Sequence, residues 1–322
     1  LLDKSYPLAQ QIALIDSDHY ANWAFSDSHP TQGRRFTKAA ERLQEVTLGL
    51  GLGLTVIDSD FKPASELLEY AHDPVYLNEV LKQGVSGEWD GSRLDLAHIA
   101  HLMAGGTLLA TESLLRQHAE IAVHFAGAKH HAHYDHSSGF CVFNDFAIAA
   151  QHALRSPRKI HDPKSGVPKV VERIAILDID AHHGDGTEAL LGSNQQVLTF
   201  SIHDSTIFPG TGFDSDPENH IYNRPLEYQA GDRELHAATQ EFTDIAGSFE
   251  PDLIFIAMGA DGLVQDPLSS LQYTFEGLEE AVRDVRRKFP HTPLLLGGAG
   301  GYRPDDATPE AWVRMVIAAA TA

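Results

Sequence analysis

Three observations predict an α/β fold with a largely parallel sheet and helices on both faces. Short β-branched apolar runs alternate along the chain with polar loops and helical segments. Several of these runs stop at acidic, histidine or glycine residues, and open α/β sheets build their sites beyond the carboxyl ends of strands. The 322 residues allow one large domain or two smaller ones. Size does not choose between them, and no internal repeat stands out.

The first run, Gln11 to Ile15, reads as a strand that exits into Asp16-Ser17-Asp18-His19. In SDSHPTQGRRF, Pro30 and Gly33 break structure before a helix from about Thr37 to Leu50. Arg34 and Arg35 there have two readings, neutralising nearby acids or handling an anion. Leu54 to Ser59 is a second strand, and helical segments follow at Pro63 to Tyr70 and His72 to Gly84. The loop Val85 to Leu94 suits a surface turn or a substrate rim equally well. From Ala97 to Phe125 apolar residues recur at helical spacing, and Gly105-Gly106 either permits close packing or marks a break.

His130, His131, His133 and His136 crowd the next stretch. That is too dense for an ordinary core, because each buried imidazole needs a hydrogen-bond partner. Adjacent His130 and His131 point different ways, so each could meet its own carboxylate. His133 and His136 read as rim or surface residues. The helix Phe146 to Leu154 should be buried, and the proline-bearing stretch Arg155 to Arg173 should be an exposed excursion without a domain boundary.

The stretch IAILDIDAHHGDGTEAL, Ile174 to Leu190, is the centre of the chain. An apolar strand ends in Asp178 and Asp180, His182 continues the alternation, and a turn follows. Two carboxylates and an imidazole suit zinc or a comparable divalent ion, and a solvated turn is the alternative. A buried strand has little reason to end in two like charges unless a cation offsets them. Val197 to Ile202 is another strand. Phe208 to Gly212 is a tight glycine loop but no P-loop, since the lysine followed by Ser or Thr is missing. Asp214 to Gly231 carries few strand signals, and a helix spans about Asp232 to Phe249. The apolar strand Leu253 to Met258 delivers a third carboxylate, Asp261, able to complete a facially open site with Asp180 and His182. A helix from Thr274 to Phe289 and a strand from Thr292 to Leu296 lead to GGAGGY, which presents Tyr302 beside a close backbone approach.

Composition narrows the partners. Lys plus Arg total 24 against 45 acidic residues, a net charge of −21. That disfavours a nucleic-acid surface and favours a cationic substrate at long range. Cys141 is the sole cysteine, so no intramolecular disulfide forms, and its apolar setting reads as packing rather than a nucleophile. No run is apolar enough to cross a bilayer and no leader is read at the start, so a soluble, cytoplasmic protein without membrane contact is expected.

Together, HHAHYDHSSGFCVFND, DIDAHHGDGTEAL, FSIHDSTIFPGTG, MGADGLVQDPL and GGAGGY resemble the superfamily of histone deacetylases, acetoin utilization proteins and acetylpolyamine amidohydrolases. A weaker echo lies in SDSHPTQGRRF. The resemblance implies a single arginase-like deacetylase domain over residues 1–322 and one zinc ion held by Asp180, His182 and Asp261. It makes His131, paired with Asp185, the general base, and His130, paired with Asp178, its electrostatic partner. Tyr302 takes the place of the phenol that polarises the amide carbonyl. Phe140 and Phe208 match the walls of an acyl-lysine channel, and Leu268 matches an apolar rim position. A structural potassium ion is implied near Asp178, Asp180, His182 and Ser201, and Arg35 matches an arginine of an acetate cavity. The implied substrate is an acylated lysine or a related small acylated amine, with acetylpolyamine as the alternative. An arginase-type ureohydrolase and a metal-stabilised binding module without catalysis are the remaining readings.

Overall fold

The computed structural model describes residues 11–322. The expectation that no leader opens the chain falls on residues 1–10, outside the described residues. The strands are β1 (Gln11–Asp16), β2 (Gly53–Asp58), β3 (Ile121–His124), β4 (Lys159–His161), β5 (Pro168–Val170), β6 (Ile174–Asp178), β7 (Val197–Asp204), β8 (Ile221–Leu226), β9 (Leu253–Ala257) and β10 (Leu294–Gly297). The helices are α1 (Arg34–Leu50), α2 (Ser65–Leu68), α3 (Pro74–Asn78), α4 (Leu94–Leu115), α5 (Asp145–Arg155), α6 (Asp185–Leu191), α7 (Asp232–Phe249), α8 (Phe275–Lys288) and α9 (Ala307–Ala320).

Eight strands form one sheet in the order β2-β1-β3-β10-β9-β6-β7-β8, and all of its pairings are parallel. Strands β3, β6, β7, β9 and β10 are buried along their whole length. Such strands read as continuous apolar runs because helices cover both faces of the sheet. Each fully buried Ile or Leu in them stabilises the fold by roughly 1.5–3 kcal/mol. Of the covering helices, α4 is buried on most sides and α8 along one stripe. In α8 the buried set includes Leu278, Ala281, Val282 and Val285, a three-and-four spacing along one face.

Register places the site. Asp178 of β6 pairs with Ala257 of β9, Ala257 with Gly297 of β10, and Gly297 with His124 of β3. These residues form one row at the carboxyl ends of four adjacent strands. The loops that carry Asp180, His182, Asp261, His130, His131 and Tyr302 leave from that row.

The expected elements differ from the structure in a few places. The helical stretch Ala97 to Phe125 is helix only to Leu115, and Ile121–His124 is strand β3. Gly105 and Gly106 do not break α4. They allow close packing, since a Cβ on Gly105 would stand 2.0 Å from the Phe61 carbonyl oxygen and one on Gly106 2.4 Å from His124 Nε2. Strand β8 lies in the segment read as irregular, and α9 lies where no element was read. The excursion after Arg155 is exposed along most of its length, as expected, and folds into the antiparallel pair β4–β5. No helix among the described residues is long and apolar enough to cross a membrane.

Candidate active site

At the end of β6 the chain folds back on its own carboxylates. Asp178 Oδ1 accepts the Asp180 backbone N–H at 3.0 Å, and Asp180 Oδ1 accepts that of His182 at 2.9 Å. From the β9 exit, Asp261 Oδ1 accepts the Ala181 N–H at 2.9 Å. His182 Nδ1 then lies 3.1 Å from Asp180 Oδ1 and 2.9 Å from Asp261 Oδ2. Ligand-type atoms of these three buried residues all lie within 4.8 Å of one another. A tetrahedral zinc ion with bonds of about 2 Å sets its ligand atoms roughly 3.3 Å apart, so the group fits such an ion.

Electrostatics agree with the geometry. Burial and Asp180 push the Asp261 carboxyl up to about 6. Burial also acts against His182, but Asp180 and Asp261 outweigh it and hold the imidazole up at about 11. The cluster therefore draws positive charge to itself, a need that a divalent cation meets. Gly300, after β10, lets the backbone close over the cluster and donates its N–H to Asp180 Oδ2 at 2.6 Å. A Cβ there would stand 2.2 Å from Asp261 Oδ2 and 2.5 Å from Asp180 Oδ2.

The loop after β3 supplies the histidine pair. Asp145, in the first turn of α5, accepts the N–H groups of Ala128 at 2.9 Å and Lys129 at 2.6 Å. Those bonds hold Ala128 at φ 59°, a costly conformation for a residue with a Cβ. His130 Nδ1 lies 2.7 Å from Asp178 Oδ2, and His131 Nδ1 lies 2.7 Å from Asp185 Oδ1. The two rings are 4.0 Å apart. Burial opposes the protonation of His130, but Asp178 and Asp180 win and hold it at about 9. Burial and the neighbouring His130 push His131 down to about 3. Two adjacent imidazoles thus carry opposite protonation preferences, the pattern expected of an acid and base couple.

An aromatic wall surrounds this floor. The Phe208 ring is 5.0 Å from His131 and 6.4 Å from His182, and half of the side chain is exposed. The Phe140 ring is 6.0 Å from that of Tyr302, which is 6.3 Å from His182 and perpendicular to it. Burial and the nearby Asp261 raise the Tyr302 phenol well above its ordinary value, so it remains a donor. Asp266 ties the rim together by accepting the backbone N–H groups of Tyr302 at 2.7 Å and Leu268 at 3.0 Å. Glu88, in the loop with two readings, accepts the Phe140 N–H at 2.8 Å, so that loop braces the wall.

The two arginines part company. Arg34 grips Asp305 through two bonds of 2.9 Å, whereas Arg35 is buried and donates from Nη1 to the Gly301 carbonyl at 2.5 Å. Ser201 and Asp178 line one small cavity, where the buried oxygens Thr199 Oγ1 and Asn223 Oδ1 lack partners. The Asp180 and His182 side chains turn instead to the three-residue cluster. Cys141 is buried and its thiol is pushed up by that burial, as a packing residue should be.

Sequence reasoning missed two participants. His133 was read as a rim residue, and it stacks on the exposed His136 at 4.6 Å while its Nε2 lies 3.2 Å from Asp185 Oδ2. Asp185 is therefore shared by two imidazoles. Lys129 was not singled out, and it is buried in the same cavity as Arg35. A lysine between an apolar run and a histidine pair was the available signal.

Comparison with known protein families matches residues 29–319 to the histone deacetylase domain. Acetoin utilization protein AcuC of Staphylococcus aureus (strain MRSA252) is 27% identical over 95% of this chain and 80% of that protein. The AcuC protein of Staphylococcus xylosus is 27% identical over 97% and 83%, respectively. That of Bacillus subtilis (strain 168) is 32% identical over 67% of this chain and 55% of its own length.

Proposed function

The chain belongs to the histone deacetylase domain family, and from that premise we propose that it is a zinc-dependent amidohydrolase releasing an acetyl or other short acyl group from an acylated lysine or related amine. The observation that carries the proposal is the meeting of two histidine–aspartate pairs, a three-residue metal group and a half-buried tyrosine above one row of strand ends.

Asp180, His182 and Asp261 would hold one zinc ion. When bound, the ion supplies Lewis-acid polarisation of the amide carbonyl and a water of lowered pKa. His131 takes the proton of the attacking water at Nε2, the nitrogen left free by Asp185 at Nδ1. Its depressed pKa keeps that nitrogen unprotonated and ready. Asp185 fixes the tautomer and stabilises the charge that develops on the ring. His130, held protonated by Asp178, places positive charge beside the reaction and has a proton for the leaving amine. Tyr302 donates its hydroxyl to the developing oxyanion. Phe140 and Phe208 enclose the aliphatic stem of the substrate, with Leu268 at the rim. Asp178 and Ser201 belong to the proposed potassium site, to which Asp180 and His182 contribute through backbone oxygens, and Arg35 lines the acetate cavity.

The test is a kcat/KM comparison of acetyl-lysine peptides, free acetylpolyamines and longer acyl-lysine peptides on zinc-loaded protein. Turnover of acetyl-lysine peptides above free polyamines is expected. Preference for free polyamines over every peptide, which the net charge of −21 also suits, would replace the lysine assignment.

A further inference from the structure

Below the histidine pair lies a small cavity of about 20 Å³, lined among others by Thr31, Arg35, Lys129, Cys141, Gly300 and Tyr302. A space of that size holds about one water molecule. Two of its walls are cations. Arg35 is 3% exposed and Lys129 6% exposed. Residues of these types are almost never buried so deeply unless paired.

Neither cation has a carboxylate partner among the described residues. Arg35 spends Nη1 on the Gly301 carbonyl, and its buried Nε has no hydrogen-bond partner. Lys129 Nζ sits 5.2 Å from the centre of the Phe36 ring, against which Arg35 also packs at 4.9 Å. Asp145 lies against the Lys129 backbone, but its oxygens are engaged by Thr107 and by the N–H groups of Ala128 and Lys129. Asp180 and Asp261 are likewise turned to His182 and to backbone N–H groups. Burial and the neighbouring Arg35 pull the Lys129 ammonium down to about 8, still protonated at neutral pH, so an anion that entered would relieve the strain on both cations. An apolar acyl chain would leave them both desolvated and unpaired.

We propose that this cavity receives the terminal carboxylate of a short acidic acyl group, such as that of malonyl- or succinyl-lysine, with Lys129 and Arg35 as its recognition pair. The proposal rests on the hydrolase reading above and names its acyl class. The reaction balances as a hydrolysis: the water oxygen bonds to the carbonyl carbon, the C–N bond breaks toward nitrogen, and the nitrogen takes the proton. The products are a dicarboxylate and a free amine.

The experiment measures kcat/KM on zinc-loaded protein for lysine peptides carrying acetyl, propionyl, malonyl, butyryl and succinyl groups. Wild type, Lys129→Met and Lys129→Arg are compared. A charge-assisted hydrogen bond is worth roughly tenfold to hundredfold in such a ratio. Wild type should favour malonyl over propionyl and succinyl over butyryl by about that factor, Lys129→Met should abolish the preference, and Lys129→Arg should restore it. Preference for the neutral acyl groups, or a proportional loss of all substrates in Lys129→Met, overturns the pocket assignment. If no acyl peptide is turned over, the hydrolase reading fails, and calorimetric binding of malonyl-lysine against propionyl-lysine peptide decides the pocket alone. Tighter binding of the anionic peptide by wild type but not by Lys129→Met supports it, and equal binding overturns it.

Discussion

His72 Nε2 accepts the backbone N–H of Asn144 at 2.8 Å, while its Nδ1 lies 2.8 Å from the carbonyl oxygen of His133. One buried imidazole thus pins both ends of the loop that follows the histidine pair. It must be neutral to do so, because a protonated ring has no acceptor for the Asn144 N–H. Burial lowers its folded-state pKa to about 4, against roughly 6.5 when unfolded. Below about 6.5 the unfolded chain takes up a proton that the native protein refuses. This contribution to stability is therefore intact above that pH and is lost as pH falls through about 4, for a total on the order of 3 kcal/mol. Urea denaturation at pH 7.5, 5.5 and 4.5 should show a steeper loss in wild type than in His72→Gln. Parallel pH profiles for the two proteins would reject the assignment.

Metal analysis should find one divalent ion per active chain. Asp180, His182 and Asp261 supply three ligands and leave room for water, so Asp261→Asn should lose most of the ion while the protein stays folded by circular dichroism. Two tightly held divalent ions per active site would defeat the single-zinc assignment. Potassium must be held constant in the assay, since its proposed site shares Asp180 and His182 through backbone oxygens.

His131→Ala and Tyr302→Phe should keep the metal and lose turnover. Neither side chain belongs to the metal group. Removing the Tyr302 hydroxyl should raise the barrier by about 3 kcal/mol, the typical cost of an oxyanion donor. Near-normal kcat in either metal-loaded variant would refute the role given to that residue.

Gly300→Ala should weaken metal binding without unfolding the protein. The new methyl would stand 2.2 Å from Asp261 Oδ2, and relief requires the β10 exit loop to withdraw, breaking the Gly300 N–H bond to Asp180. A competition titration with a chelating dye should show at least tenfold weaker zinc binding, as outer contacts to ligands generally give. Unchanged zinc affinity would show that the loop yields freely.

Much of this site was readable before any coordinates, because its chemistry is written in short runs. The apolar runs of β6 and β9 were legible and bring Asp180, His182 and Asp261 together, but β6 stops at Asp178, so Asp180 and His182 stand in the turn beyond the strand rather than on the alternating edge that was expected. Reading failed where periodicity carries little information. Strand β3 has only four residues and is entered from an apolar helix, so helix and strand could not be separated. Strand β8 is an edge strand, only partly buried and containing Pro225, and proline argues against a strand unless it lies at an edge. Lys129 offered only its place before the histidine pair as a signal, because burial of a lone lysine is a fact of three dimensions, set by Asp145 holding its backbone and Phe36 receiving its side chain.

The strand order carries a consequence for biosynthesis. Strand β10 comes last in the chain, yet it lies in the middle of the sheet, between β3 and β9. Until Leu294–Gly297 leaves the ribosome, the wing β2-β1-β3 and the wing β9-β6-β7-β8 share no strand pairing. The residues that would bind zinc all belong to the second wing and are made before β10, whereas Gly300 and Tyr302 arrive only with the closing strand. Contacts between segments so distant in sequence form slowly. A nascent chain would therefore hold all three proposed zinc ligands before the proposed carbonyl-polarising phenol is made.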